Sequence, residues 1–178
     1  MDIYSSVNQT EQARTGRDAE FREFVRSRGT PLHQSAYLLC GDWHLADDVV
    51  QDTLIKAYQH WKRVRQADNP EAYVRRILIN EVRGRWRRRE RSVPVAEFSV
   101  EPSVADASED VARRDGLLKA LLTLPLRQRA TVVLRYLEGL SERETATALG
   151  CSEGTVKSQS SRALAGLKSF FDRTGSLL

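Results

Sequence analysis

Lys157, Ser158, Ser161 and Arg162 fall on one side of the stretch "CSEGTVKSQSSRALAGLK", two cations among small hydroxyls. This grouping makes and breaks no bonds. Short polar side chains let a helix approach the floor of a DNA major groove, while lysine and arginine reach base acceptors or phosphates. A second grouping lies upstream, where Arg76, Asn80, Arg83 and Arg87 recur at steps of three and four. At about 100° per residue these four form one narrow stripe, about 16 Å long, which is enough to follow several phosphates. Arg85, Arg88, Arg89 and Arg91 thicken the charge at its end. Charge on a solvated helix face normally alternates in sign, and here almost no carboxylates are available for pairing. Trp86 lies inside "RGRWRRR", where it either stacks on a base or anchors the helix end to the core.

Catalytic chemistry has no such grouping. His33, His44 and His60 are dispersed, and Asp47 and Asp48 are adjacent, hence on different helix faces. Metal-assisted or acid–base catalysis needs such groups to converge, so an enzyme is not expected, nor any cofactor or metal. Cys40 and Cys151 lie far apart without a CxxC pattern, which suggests neither a zinc site nor a disulfide framework. They read as small core residues, with redox sensing the lesser alternative.

The elements that carry these groups read as helices. Residues 1–16 are polar without apolar period and are expected to be a disordered arm. Two helices are expected next, one ending at Gly29 and one running from Pro31 to Gly41. A long amphipathic helix over 43–63 is expected to bury Leu45, Val49, Val50, Leu54, Tyr58 and Trp61. It leaves Asp48, Gln51 and Asp52 on other faces. Asn69 caps a fourth helix, from about Pro70 to Arg89, which packs through Val74, Ile77, Leu78 and Val82.

Then the character changes. "SVPVAEFSVEPSVADASED" has two prolines, five acidic residues and no basic one, the composition of a linker. Helical periodicity resumes, with four helices expected to start near 111, 126, 141 and 153. Ser141 and Glu144 form a capping box, Gly150 allows a tight turn, and Ser152 caps the last helix. That helix is expected to face inward through Val156, Ser160, Ala163 and Leu167. No period-two run of β-branched residues appears, so no sheet is expected. The fold class is all-α: two small helical domains joined by a flexible acidic linker. No leader or membrane-length apolar run is visible.

Three stretches, "LADDVVQDTLIKAYQHW", "NPEAYVRRILINEVRGRWRRR" and "LPLRQRATVVLRYLEGLSERETATALGCSEGTVKSQSSRALAGL", resemble in order and spacing the signatures of bacterial extracytoplasmic-function (group 4) sigma factors of the sigma-70 family. The resemblance implies an N-terminal arm 1–16, a σ2 domain over 17–92, a linker over 93–110 and a σ4 helix-turn-helix domain over 111–173. It further implies a transcription initiation factor that binds core RNA polymerase through the β′ clamp helices and β flap, recognises promoter DNA and helps open it. Asp48, Gln51 and Asp52 would contact polymerase. Asn69, Arg76, Asn80, Arg83 and Arg87 would engage the −10 element, where a base flips into the loop over 65–71. Such flipping costs a few kcal/mol of unstacking, which binding in a shaped pocket offsets.

Ser152, Thr155, Lys157, Ser158, Ser161 and Arg162 would read the −35 element, and Arg129, Arg135 and Arg143 are candidates for phosphate contacts. Gln159 and Ser161 depart from the family pattern, so its preferred −35 sequence does not carry over. An anti-sigma factor is a further partner that the resemblance implies, though no residue identifies one. The linker either threads a positive nucleic-acid channel of polymerase or serves as a soluble tether. The expected location is the bacterial cytoplasm, in action at the nucleoid. A stand-alone helix-turn-helix repressor or activator is the alternative, and it would bind DNA tightly by itself as a dimer.

Overall fold

The computed structural model describes the backbone of residues 3–92 and 109–175 and the side chains of residues 15–88 and 114–175. The described residues form helices joined by short turns, with no strand among them. The first helix, α1, runs Ile3–Cys40 without interruption. This corrects two expectations: residues 3–16 are helical rather than an unstructured arm, and Gly29 and Pro31 lie inside one helix rather than between two. Pro31 removes one backbone donor, at a cost of about 3 kcal/mol in a helix interior. Its ring points to solvent, and burial of Leu32, Ala36 and Leu39 just beyond it offsets that loss.

Gly41, with φ +76°, ends α1, and Asp42 caps α2 (Trp43–Gln59) by accepting from Leu45 N at 2.8 Å. The long helix expected over 43–63 divides at His60, where φ −108° departs from helical geometry, and α3 (Trp61–Arg65) follows. The break turns Trp61 and Val64 into the core. Along α2 the inward face is set one position round from the expectation, so Ala46, Thr53 and Ala57 are buried with Val49 and Val50. Leu45, Leu54 and Tyr58 are only half-buried. Small side chains bring α2 close to its neighbours, and Thr53 returns its hydroxyl to Val49 O at 2.7 Å.

Asn69 caps α4 (Pro70–Ser92) as expected, accepting from Ala72 N at 2.9 Å. Val74, Leu78 and Val82 are buried and Ile77 half-buried. These residues join α1, α2 and α3 in one core, to which Phe21, Phe24 and Trp61 add an edge-on aromatic cluster.

The second half comprises α5 (Glu109–Thr123), α6 (Leu126–Val132) continuing as a π-helical turn over Val133–Leu137, α7 (Glu142–Leu149) and α8 (Glu153–Thr174). Ala120, Leu121, Leu124, Val132, Ala163 and Leu167 knit α5, α6 and α8 together. Yet Ala130, Val133, Leu134, Leu140 and Ala148 bury themselves in the core of the first half, and α7 packs on α4. The two halves therefore meet across an apolar interface. Of the acidic segment expected as a linker, 93–108 lies outside the described residues.

Candidate nucleic-acid interface

The helix-turn-helix forms as its caps dictate. Ser141 Oγ accepts from Glu144 N at 3.2 Å while Glu144 accepts from Ser141 N at 2.8 Å, so both halves of the capping box are made. The hydroxyl and backbone N–H of Ser141 hold the Glu144 carboxyl below its ordinary range. Gly150 sits at φ +63°, a left-handed turn that a side chain adopts only with strain. Ser152 then caps α8 by accepting from Thr155 N at 3.2 Å.

On α8, Val156, Ser160, Ala163 and Leu167 are all buried, which leaves Lys157, Ser158, Ser161 and Arg162 exposed on the other side. Lys157 keeps a loose partner in Glu142 at 3.5 Å, across the turn. A negatively charged groove would compete readily for a lysine two-thirds exposed.

The arginine stripe also assembles on one exposed face: Arg76, Asn80, Arg83 and Arg87 are all open to solvent along α4. Arg85, which the sequence groups with that charge, belongs elsewhere. Its guanidinium is mostly covered and donates to Asp52 at 2.6 Å and to Asp48 at 3.4 Å, pinning α4 to α2. Lys56 and Glu81 repeat the tie at 2.5 Å. Asp48, Gln51 and Asp52 nevertheless stay accessible, and Ile55, one turn on, is 48% exposed. Residues 48, 51, 52 and 55 thus line one helix face, polar at one end and apolar at the other. Sequence reasoning missed Ile55 because the contacts for this face were sought among polar residues alone, although the isoleucine stands outside the inward set expected for this helix.

Three arginines expected at phosphates separate in the structure. Arg143 is exposed, as a phosphate contact requires. Arg135 is half-buried and donates to Leu140 O, closing the π-helical turn. Arg129 is corrected outright: it is 1% exposed, and its guanidinium donates to the carbonyls of Leu39, Leu122 and Leu124 at 2.5, 3.1 and 3.1 Å. Burial pushes its pKa down to about 10, which leaves it charged at neutral pH. Trp86 lies beneath it, the guanidinium carbon 5.2 Å from the ring centre.

Neither cysteine is poised for chemistry. Burial pushes the Cys40 thiol up to about 12 and raises that of Cys151, so the reactive thiolate is scarce. Among the described residues no cluster of His, Cys, Asp and Glu could hold a metal.

Two sequence families match this architecture, each on one half: sigma-70 region 2 over residues 24–92 and sigma-70 region 4 over residues 114–167. The chain belongs to the sigma-70 family, in its extracytoplasmic-function group. It is 40% identical over 153 residues to the RNA polymerase sigma-E factor of Streptomyces avermitilis, covering 86% of each chain. Against the ECF RNA polymerase sigma factor SigM of Mycobacterium tuberculosis it is 34% identical over 147 residues, covering 83% of this chain and 74% of that one. Among solved structures, the sigma factor RpoE in complex with the anti-sigma factor NepR from Bartonella quintana superposes with a TM-score of 0.72 at 28% identity, covering 86% of this chain and 97% of that one. CnrH in complex with the cytosolic domain of CnrY gives 0.63 at 28% identity, over 92% and 94%. A sigma factor directs polymerase to promoters and is not an enzyme. A stand-alone repressor is not favoured, because region 2 accounts for the whole arginine-bearing half.

Proposed function

We propose that this sigma factor binds core RNA polymerase through the α2 face of Asp48, Gln51 and Asp52 together with Ile55, and reads promoters with two separate surfaces. On this reading Asn69, Arg76, Asn80, Arg83 and Arg87 engage the opened −10 strand. Ser152, Thr155, Lys157, Ser158, Ser161 and Arg162 read the −35 duplex. The observation that carries it is the exposure of both basic faces on helices whose opposite sides are buried.

The physics differs between the two. A stripe of arginines with few carboxylates gains affinity from phosphate neutralisation and counterion release, without sequence information. Small hydroxyls flanked by Lys157 and Arg162 suit base edges in a major groove. Asn69 spends its carbonyl oxygen on the α4 cap, so its amide N–H groups are what it offers a flipped base.

The β′ clamp helices are the partner for the α2 face and the β flap the partner for region 4. An anti-sigma factor is a third partner, since RpoE and CnrH are each solved with a protein of that kind or with a partner's cytosolic domain. The site of action on this reading is the bacterial cytoplasm, at the nucleoid. Among the described residues no helix is long and apolar enough to cross a membrane.

A gel shift on promoter DNA with the chain alone, core polymerase alone and both together tests the reading. Specific retention is expected only with both. Tight specific binding by the chain alone, as a dimer, would favour the repressor alternative instead.

A further inference from the structure

Glu20, Phe21, Phe24 and Arg28 lie along about two turns of α1, and each meets an element that borders the loop over 65–71. On the near side, Phe21 and Phe24 pack edge-on against Trp61, ring centres 5.2 and 5.3 Å apart, and Trp61 is buried at the start of α3. Glu20 accepts from the Trp61 indole N–H at 3.4 Å and from Arg65 Nη1 at 3.2 Å, so the last residue of α3 is tied to α1 just as the loop begins. On the far side, Arg28 reaches Glu71, in the first turn of α4, at 3.5 Å. The other carboxylate oxygen of Glu71 receives Arg75 at 2.8 Å.

Glu20 and Arg28 are about 12 Å apart along the helix at about 1.5 Å per residue. This part of α1 thus spans the loop as a strut, with a carboxylate at one end and a guanidinium at the other. The loop's own bonds are short-range: Ala67 N donates to Val64 O at 3.2 Å, and Asn69 caps α4 through Ala72 N at 2.9 Å. Gln66 and Asp68 are exposed. A base that enters such a loop has already paid for unstacking, and any freedom the loop loses on closing round it adds an entropic cost that a pre-set loop avoids. Glu20 and Phe21 also precede the match to sigma-70 region 2, which begins at residue 24.

We propose that Glu20 and Arg28 are positioning residues for promoter choice: acting through Arg65 and Glu71, they hold the loop over 65–71 in the shape that receives a flipped base, without touching DNA themselves. The role rests on the reading of Asn69 and its loop as the −10 base site; the two ties do not. Each tie is partly exposed and screened by salt, so either alone contributes little, and the loop responds when both are cut. Base preference at the flipped position follows the loop. Polymerase affinity and −35 reading, which lie on α2 and α8, do not.

The test uses the full chain in three forms: wild type; Glu20→Lys with Arg28→Glu, which reverses both ties and leaves the net charge at +4; and Arg28→Lys, which keeps both charges in place. Amide hydrogen exchange at Ala67 and Ala72 reads the loop in the free chain. With core polymerase added, 2-aminopurine placed in turn at the −10 positions reads the extruded base, and competition among −10 and −35 variants reads preference. The reversed variant is expected to exchange both amides about fivefold faster and to lose about fivefold of its preference at the flipped position, with a dimmer 2-aminopurine signal. Its polymerase affinity and −35 preference are expected to stay within about twofold of wild type, and Arg28→Lys is expected to match wild type throughout. Unchanged exchange in the reversed variant overturns the ties. Faster exchange with base preference intact overturns the positioning role, as do equal losses at −35 or in polymerase affinity, which mean general loosening. A wild-type holoenzyme that extrudes no base at any −10 position sinks the base-site reading, and the positioning role with it, while exchange still reports on the ties. If the reversed variant loses helix signal in circular dichroism, Glu20→Gln with Arg28→Gln is judged by the same criteria.

Discussion

Arg85 on α4 donates to Asp52 on α2 at 2.6 Å, so a residue of the face proposed for polymerase and the helix proposed for the melted strand are held in one register. Asp52 is 43% exposed at its side chain and Arg85 only 23%. Such a pair is worth at most about 1 kcal/mol to stability, because the carboxylate remains in water. Asp52→Ala is therefore expected to lower polymerase affinity with little loss of fold, and Ile55→Ala to lower it through lost apolar contact. Arg85→Ala should leave polymerase affinity close to wild type while loosening α4. Polymerase titration beside thermal melts separates the three; equal affinity losses for Asp52→Ala and Arg85→Ala would mean that register, not contact, is what polymerase reads.

Replacing Arg83 by alanine and replacing Lys157 by alanine should have different signatures. Arg83 is proposed at phosphates, so its loss should weaken holoenzyme binding to every promoter alike and reduce the salt slope by about 1. Arg162 and Lys157 stand where bases are read. Their loss should relax discrimination among −35 variants, by about 1–3 kcal/mol per position where a bidentate base contact is removed. Competition binding at several salt concentrations checks both.

The capping box makes an acid-side prediction. Glu144 is held below its ordinary pKa by Ser141, so the folded form binds the proton less readily than the unfolded one. The stabilisation is full above the unfolded pKa and is lost as pH falls through the folded one. Ser141→Ala should lower the melting temperature near neutral pH, and the gap from wild type should narrow on acidification. Melts across the acid range would show it; a gap independent of pH would contradict the box.

Leu78, 1% exposed at the centre of the region 2 core, is expected to cost about 2–5 kcal/mol on replacement by alanine. At about 2–4 °C per kcal/mol for a chain of this size, calorimetry should register a fall of several degrees at least. Leu164, 45% exposed on α8, should tolerate the same change within about 0.5 kcal/mol.

Local signals carried most of the sequence reading. Ser141, Glu144, Gly150 and Ser152 fix their turns through neighbours within four residues, which is why α7 and α8 and all four inward residues of α8 were legible. Pro31 misled because its penalty is local whereas the burial that outweighs it, through Leu32, Ala36 and Leu39, comes from packing against other helices. Arg129 misled for the same reason. Nothing within several residues of it tells that its partner is Leu39 O, 90 positions earlier. The seating of region 4 on region 2 depends wholly on such distant pairs, so periodicity could not disclose it.

The central claim is that this chain confers promoter choice on a polymerase. In vitro transcription with core enzyme on a library of promoter fragments tests it most directly. The account predicts RNA chains starting only when the sigma factor is added, from fragments sharing one upstream and one downstream motif, with the upstream preference altered by Lys157→Ala. Transcripts independent of the added chain, or none from any fragment while the folded chain binds DNA tightly alone, would contradict it.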